Sequence, residues 1–239
     1  MVQQLLNIKN KEFIFLGSNS SLARYSVDKL SKNNFIFGTF NKKRPENSKK
    51  FTLLKKVDLS KKTEIENFYF KIKKNLNNII LINFAAYNKD SLLVDVEERD
   101  LLKSFKVNVF ANFYLCKLLL PIMIKNKWGR IIHISSSKAS SGSKGSSVYG
   151  SSKSALIGLS NNIANEYGRF GITSNILSLG YFDSGLFHNL DKSLQERYLQ
   201  SIPQKKLGTP QEVFNLIDAI VKSPFINGSI LNIDGAAET

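Results

Sequence analysis

Cysteine occurs once and histidine twice in the 239 residues. The lone thiol, Cys116, cannot close an internal disulfide, and with two histidines it offers no metal-ligand spacing, so no metal is expected. Long apolar runs are missing as well. No stretch nears the ~20 uninterrupted apolar residues of a bilayer span, so no membrane partner is expected. The opening MVQQLLNIKNKEF lacks a basic stretch followed by an apolar core and a small-residue cleavage site, so no secretory leader is expected. Together these absences point to a reducing, cytoplasmic setting. Internal repeats and low-complexity linkers are absent too. Residues 1–239 therefore read as a single domain, long enough for one α/β core.

Carboxylates are scarce: 19 Asp+Glu stand against 34 Lys+Arg, a net charge of +15. The excess is concentrated in residues 1–80, with 17 basic against 6 acidic side chains; the rest of the chain carries 17 against 13. Such an excess can serve nucleic acid, a membrane surface or an anionic ligand. Arginine, the residue that grips phosphate with a bidentate fork, supplies only 6 of the 34 cations. No nucleic-acid motif is present, so a solvated basic surface is the plainer reading and nucleic acid is not expected as a partner.

What the chain does have is alternation. Strand-like apolar runs at Glu12–Leu16, Asn34–Phe40, Thr52–Lys56, Ile79–Asn83, Arg130–Ser135, Thr173–Leu179 and Ser229–Ile233 are separated by helical patterns. Those patterns lie near 21–32, 62–75, 98–126, 148–169 and 210–222. Few polar residues interrupt the strands, which predicts a doubly wound, seven-stranded parallel sheet of Rossmann type. Ligands bind beyond the C-terminal ends of such strands, here at 17–23, 41–44, 83–86, 135–145 and 179–186.

Tyr149-Gly-Ser-Ser-Lys153 opens a helix with both reactive side chains on one face, one turn apart. A nearby ammonium favours phenolate and would lower the phenol's pKa. The spacing alone says little, since it recurs at Tyr25/Lys29 and Tyr69/Lys73. Only Tyr149 follows a buried strand ending in serines, Ile131-Ile-His-Ile-Ser-Ser-Ser137, and precedes another strand that ends at Gly180. A serine hydroxyl at that strand end could bond a substrate oxygen. His133 is read as pointing into packing or solvent.

Along nearly its whole length the chain resembles the short-chain dehydrogenase/reductase family, and the segment from Gly129 to Leu186 is close to its β-ketoacyl reductase-like members. The resemblance implies a catalytic tetrad. Tyr149 would protonate the carbonyl as hydride arrives, and Lys153 would lower the Tyr149 pKa and bind the nicotinamide ribose. Ser136 would polarise the carbonyl, and Asn108 would anchor a water that relays protons to Lys153.

The family's cofactor turn, T-G-x-x-x-G-x-G, here reads Leu16-Gly-Ser-Asn-Ser-Ser-Leu-Ala23, so Ser21 and Ala23 replace two glycines. Gly17 keeps the tight turn, and Asn19, Ser20, Ser21 and Leu22 complete the implied phosphate loop, with the Ser21 hydroxyl placed at the helix start to cap amides and meet phosphate. Further implied cofactor contacts are Asn41, Lys42, Asp58, Leu59, Asn83, Ala85, Gly180, Phe182 and Ser184, together with Tyr149 and Lys153. The second strand ends at Phe40 without a carboxylate and runs into Asn41-Lys-Lys-Arg44, so NADP(H) is expected over NAD(H). The implied reaction is interconversion of a small-molecule carbonyl and a secondary alcohol, with reduction the expected direction, by a homodimer or homotetramer. Residues 138–145 and a lid at 182–208 would border the substrate. A non-catalytic dinucleotide sensor, or an enzyme of the same fold acting on a sugar intermediate, is the alternative.

Overall fold

Phe13, Ile14, Phe15 and Leu16 are each at most 1% exposed, which requires cover on both faces of their strand. The computed structural model describes residues 8–188 and 190–237 and supplies that cover. Residues 1–7, where the expectation about a leader begins, and Asn189 in the expected lid lie outside the described residues. The strands are β1 (Glu12–Leu16), β2 (Phe35–Phe40), β3 (Leu53–Lys56), β4 (Ile79–Asn83), β5 (Gly129–Ser136), β6 (Ile172–Leu179) and β7 (Ile230–Ile233). They form one parallel sheet in the order β3-β2-β1-β4-β5-β6-β7. The expected doubly wound architecture is what the chain adopts.

Strand alternation divides the core into two layers. Ile14, Leu16, Leu81 and Ile131 pack under α2 (Lys62–Ile72), α4 (Ala111–Asn126) and α5 (Ser147–Tyr167). Phe13, Phe15, Ile80, Ile82, Ile132 and Ile134 pack under α1 (Ser21–Leu30) and α8 (Pro210–Lys222). Strand order reverses between β1 and β4, whose last residues Leu16 and Asn83 pair. The crevice of a doubly wound sheet opens at that point.

Two segments carry detail beyond the sequence reading. The helix expected over 98–126 is one continuous run, in which a π-helical turn at Lys106–Phe110 lies between α3 (Glu98–Phe105) and α4. The cause lies outside the helix, because the Asn108 side chain bonds both main-chain groups of Tyr87. This stretch, Glu98–Asn126, is the one among the described residues long and apolar enough to cross a membrane, with mean hydropathy 1.7. Half of that window is buried, and Leu115, Leu119 and Met123 belong to the core. The expected lid contains α6 (Gly185–His188) and α7 (Lys192–Ser201). No residue of α7 is fully buried, and its apolar positions are only the half-buried Leu194, Tyr198 and Leu199, a weak helical signal in a polar segment.

Gly38 in β2 holds the turn after β1 by its lack of a side chain. A Cβ there would fall 2.4 Å from the Phe51 ring and 2.5 Å from Ser18 Oγ. Ser18 is fully buried, donates to the Phe15 carbonyl and anchors the turn that follows Gly17. Gly38→Ala is therefore expected to destabilise the fold by about 1–3 kcal/mol through overpacking. Thermal unfolding checks this, and an unchanged Tm would mean that ring and turn yield freely.

Candidate active site

The loop at the switch point is built on close backbone approach. Gly17 has φ of 72°, and a Cβ on it would lie 2.5 Å from the Ala85 nitrogen. The segment after β4 thus presses directly on the segment after β1. Asn83 Oδ1 holds that second segment by accepting from the Ala85 N–H at 2.8 Å. Helix α1 starts immediately beyond, with Ser20 at the N-cap and Ser21 as the first helical residue. The cap position therefore falls one residue earlier than the sequence reading put it, and the Ser20 side chain makes no capping bond.

Helix α8 shows the contrast, since Thr209 and Glu212 close a capping box there. Helix α1 shares the lack of a side-chain cap with α2, α3, α5 and α7, but its open first turn lies at the switch point, where its amides suit an anion. Asn41, Lys42, Lys43 and Arg44 are exposed beside this turn. The residues present therefore fit a dinucleotide phosphate.

The other implied contacts divide by what their side chains are doing. Leu22, Leu59 and Phe182 are core side chains, so only their main chain is available to a ligand. The Asp58 carboxylate accepts from the Ser60 N–H and hydroxyl. Gly180 abuts Asp234, where a Cβ would lie 2.6 Å from Cα. Asn19 is partly exposed, and Ser184 accepts at its carbonyl from the His188 N–H in the first turn of α6.

Tyr149 lies in the first turn of α5, while Ser136 is the last residue of β5. Two bonds fasten that helix to that strand end. Lys153 Nζ donates to the Ile134 carbonyl at 2.7 Å, and Ser135 Oγ donates to the Lys153 carbonyl at 3.3 Å. Ser136 Oγ accepts from the Lys138 N–H.

The expectation that Lys153 lowers the phenol pKa is reversed here. Burial, helped by the Asp90 carboxylate, pushes Tyr149 up to about 12. The ammonium is 5.6 Å from the phenol ring centroid and is held by the Ile134 carbonyl instead. Burial pulls Lys153 itself down to about 8.

Asn108 is fully buried. Its Oδ1 accepts from the Tyr87 N–H at 2.8 Å, and its Nδ2 faces the Tyr87 carbonyl (2.9 Å), Ser104 Oγ (3.1 Å) and Ser152 Oγ (2.9 Å). Ser152 Oγ in turn donates to the Tyr149 carbonyl at 2.7 Å. The amide is thus spent on protein partners, and the Asn108 carbonyl already accepts from Asn112 Nδ2 at 2.7 Å, so a relay water there would use the second lone pair of that oxygen.

Several residues here escaped the sequence reading. Ser104 and Asn112 form a row with the expected Asn108 at four-residue spacing, all three buried, and that spacing is a readable signal. Asp90 and Ser91 gave none. They reach the site only because the Ser91 N–H donates to the Gly145 carbonyl, which joins the segment after β4 to the 138–145 loop. Among the described residues no group of three or more His, Cys, Asp and Glu is placed to hold a metal.

A glycine turn at the switch point of a parallel sheet, with a Tyr–Lys pair fastened to a neighbouring strand end, defines a nucleotide-dependent oxidoreductase of Rossmann type. A model of the short chain dehydrogenase family matches residues 30–195. The chain is 32% identical over 245 residues to 3-oxoacyl-acyl-carrier-protein reductase FabG of Buchnera aphidicola subsp. Schizaphis graminum, covering 96% of this chain and 98% of that one. It is 32% identical over 182 residues to carbonyl reductase family member 4 of Xenopus laevis, 76% of each chain. It is 30% identical over 183 residues to the human 3-oxoacyl-acyl-carrier-protein reductase, again 76% of each. The chain belongs to the short-chain dehydrogenase/reductase family and is an NAD(P)-dependent oxidoreductase of the carbonyl–alcohol couple.

Lys153 supplies a stability test. Its pKa falls from 10.5 to about 8 on folding, so between those values the unfolded chain binds more protons. The buried ammonium therefore weakens folding at neutral pH, and the handicap fades as pH rises through that window. Lys153→Met is expected to abolish turnover yet unfold no lower than the parent at pH 7, with any Tm advantage shrinking between pH 8 and 10.5. A lower Tm for the variant at pH 7 would count against the burial argument.

Proposed function

We propose that the protein reduces a ketone with NADPH, using Tyr149 as proton donor. The observation that carries this reading is the joint position of Tyr149, Lys153 and Ser136 at one strand end. Lys153 and Ser135 fasten the helix bearing Tyr149 to the strand that ends in Ser136. The Ser136 and Tyr149 hydroxyls donate to the carbonyl oxygen, drawing electron density from its carbon. Tyr149 then gives up its proton, which the buried phenol retains at neutral pH until negative charge develops on the substrate oxygen. The Lys153 ammonium, 5.6 Å from the phenol ring centroid in the resting site, is the cation that would offset the charge on the phenolate as it forms. Bound in the switch-point crevice, NADPH supplies the hydride. Asn108 holds the tyrosine-bearing turn through Ser152.

Relatives named 3-oxoacyl-acyl-carrier-protein reductase favour a 3-oxoacyl thioester as the substrate class. Preference for NADP(H) rests on exposed Lys42, Lys43 and Arg44. The nearest carboxylate, Glu46, is engaged by Arg24 at 2.8 Å and approached by Lys43 at 3.9 Å. The half-exposed Phe110 and Phe113, with Leu102 nearby, support a homodimer or homotetramer built on the α3–α4 face. A single buried cysteine, Cys116, with no second thiol for an internal disulfide suits a reducing cytoplasm.

Tyr149→Phe is expected to lower kcat by roughly 10²-fold or more while leaving Tm in place, since it removes a proton and little packing. Steady-state rates with NADPH and a 3-oxoacyl thioester, beside a thermal melt, decide it; a variant keeping a tenth of parental turnover would remove Tyr149 from the chemistry. For the cofactor, changing Lys42, Lys43 and Arg44 together to Ala is expected to lower kcat/KM for NADPH about tenfold or more, with NADH little affected. Equal parental use of both cofactors would overturn that preference.

A further inference from the structure

The row Ser104–Asn108–Asn112 does not end at Asn112. Asn112 Nδ2 donates to the Asn108 carbonyl at 2.7 Å, and this bond fixes which way the amide faces. Asn112 Oδ1 must then be the atom 3.0 Å from His133 Nδ1, so Nδ1 carries the imidazole proton. Asn112 is 1% exposed, His133 and Asn108 are 0%, and Lys153 is 2%. On β5, His133 shares a face with Ile131 and Ser135, which pack toward α4 and α5. The imidazole thus stands between Asn112 on α4 and the buried Lys153 on α5. Its Nε2 is buried and has no hydrogen-bond partner among the described residues. Burial, followed by the charge of Lys153, pulls the imidazole pKa down to about 3, so a second cation does not form beside the ammonium.

We propose that His133, held as its Nδ1–H tautomer by Asn112, is a positioning residue that fixes the Asn108 turn against the buried stem of Lys153. A π-turn is a local departure from helical pairing, and the Asn112 side chain ties the Asn108 carbonyl across it. His133 then fixes Asn112, because only a donor at its position satisfies Asn112 Oδ1. Neither residue reaches substrate; both act through Asn108 and Lys153. The inference rests on the reading of Tyr149 and Lys153 as reactive groups.

The test uses the full-length enzyme. Nitrogen-15 NMR of the parent at pH 7 is expected to show His133 protonated at Nδ1 alone. Asn112→Ala and His133→Leu are each expected to lower kcat about tenfold, as small misplacements of reacting groups do, with the Kd for NADPH by fluorescence changed less than about twofold. The double variant should be no slower than the worse single one, the signature of residues acting as a unit. His133→Asn keeps a donor for Asn112 and should recover most of the rate. A proton on Nε2, an unchanged kcat in Asn112→Ala, or a His133→Asn variant as slow as His133→Leu would overturn the proposal. If His133→Leu fails to fold, Asn112→Ala and His133→Asn against the parent still decide it. A parent without carbonyl reduction takes down the functional reading and this inference together. An active parent with indifferent variants takes down the inference alone.

Discussion

The buried amide of Asn108 is the contact through which the active region is assembled. It bonds the main chain of Tyr87 after β4, Ser104 on α3 and Ser152 on α5, and Ser152 passes the constraint to the Tyr149 carbonyl. An amide buried without partners costs about 1–3 kcal/mol per unsatisfied group, so these three segments cannot drift apart independently. The π-turn at Lys106–Phe110 is the local deformation that aims the amide at its partners. The helix gives up regular geometry where the site needs a polar junction, which is where such turns commonly occur.

A second consequence of burial is electrostatic. Lys153 is 2% exposed, with the Ile134 carbonyl as the acceptor for its ammonium. Tyr149 and Lys153 are both shifted toward their neutral forms by the same desolvation. A proton donor that stays protonated and a cation that is held under tension suit a reaction in which negative charge develops on the tyrosine. The arrangement works against folding in the resting protein, a conflict expected at functional positions.

The fold was legible because burial on both faces leaves an unambiguous mark. Phe13–Leu16, Ile79–Ile82 and Ile131–Ile134 are apolar at every position but His133, and such runs between helices read as parallel strands. Tyr149, Lys153 and Ser136 were legible through register and flanking elements rather than spacing, since Tyr25/Lys29 has the same spacing on an unrelated helix. The cap at Ser20 was misplaced by one residue because a run of polar residues does not say where helical backbone begins. Helix α7 went unseen because a helix that buries nothing fully shows only a weak apolar stripe.

Sequence by itself determined the sheet, the helices that cover it, the glycine turn at the switch point and the candidate reactive groups. Each of these follows from local pattern: apolar periodicity, a residue able to adopt positive φ, and side chains of fixed chemistry. Tertiary structure decided how those groups behave. The direction of the Tyr149 shift is set by burial, to which Asp90 adds as it arrives with the segment after β4, while the Lys153 ammonium is turned toward Ile134. The function of Asn108 depends on Tyr87, Ser104 and Ser152, and the tautomer of His133 on which way the Asn112 amide faces. A hydrogen bond is specified by positions within a few tenths of an ångström, and a pKa by every charge and water excluded nearby. Neither quantity exists until distant segments are packed together.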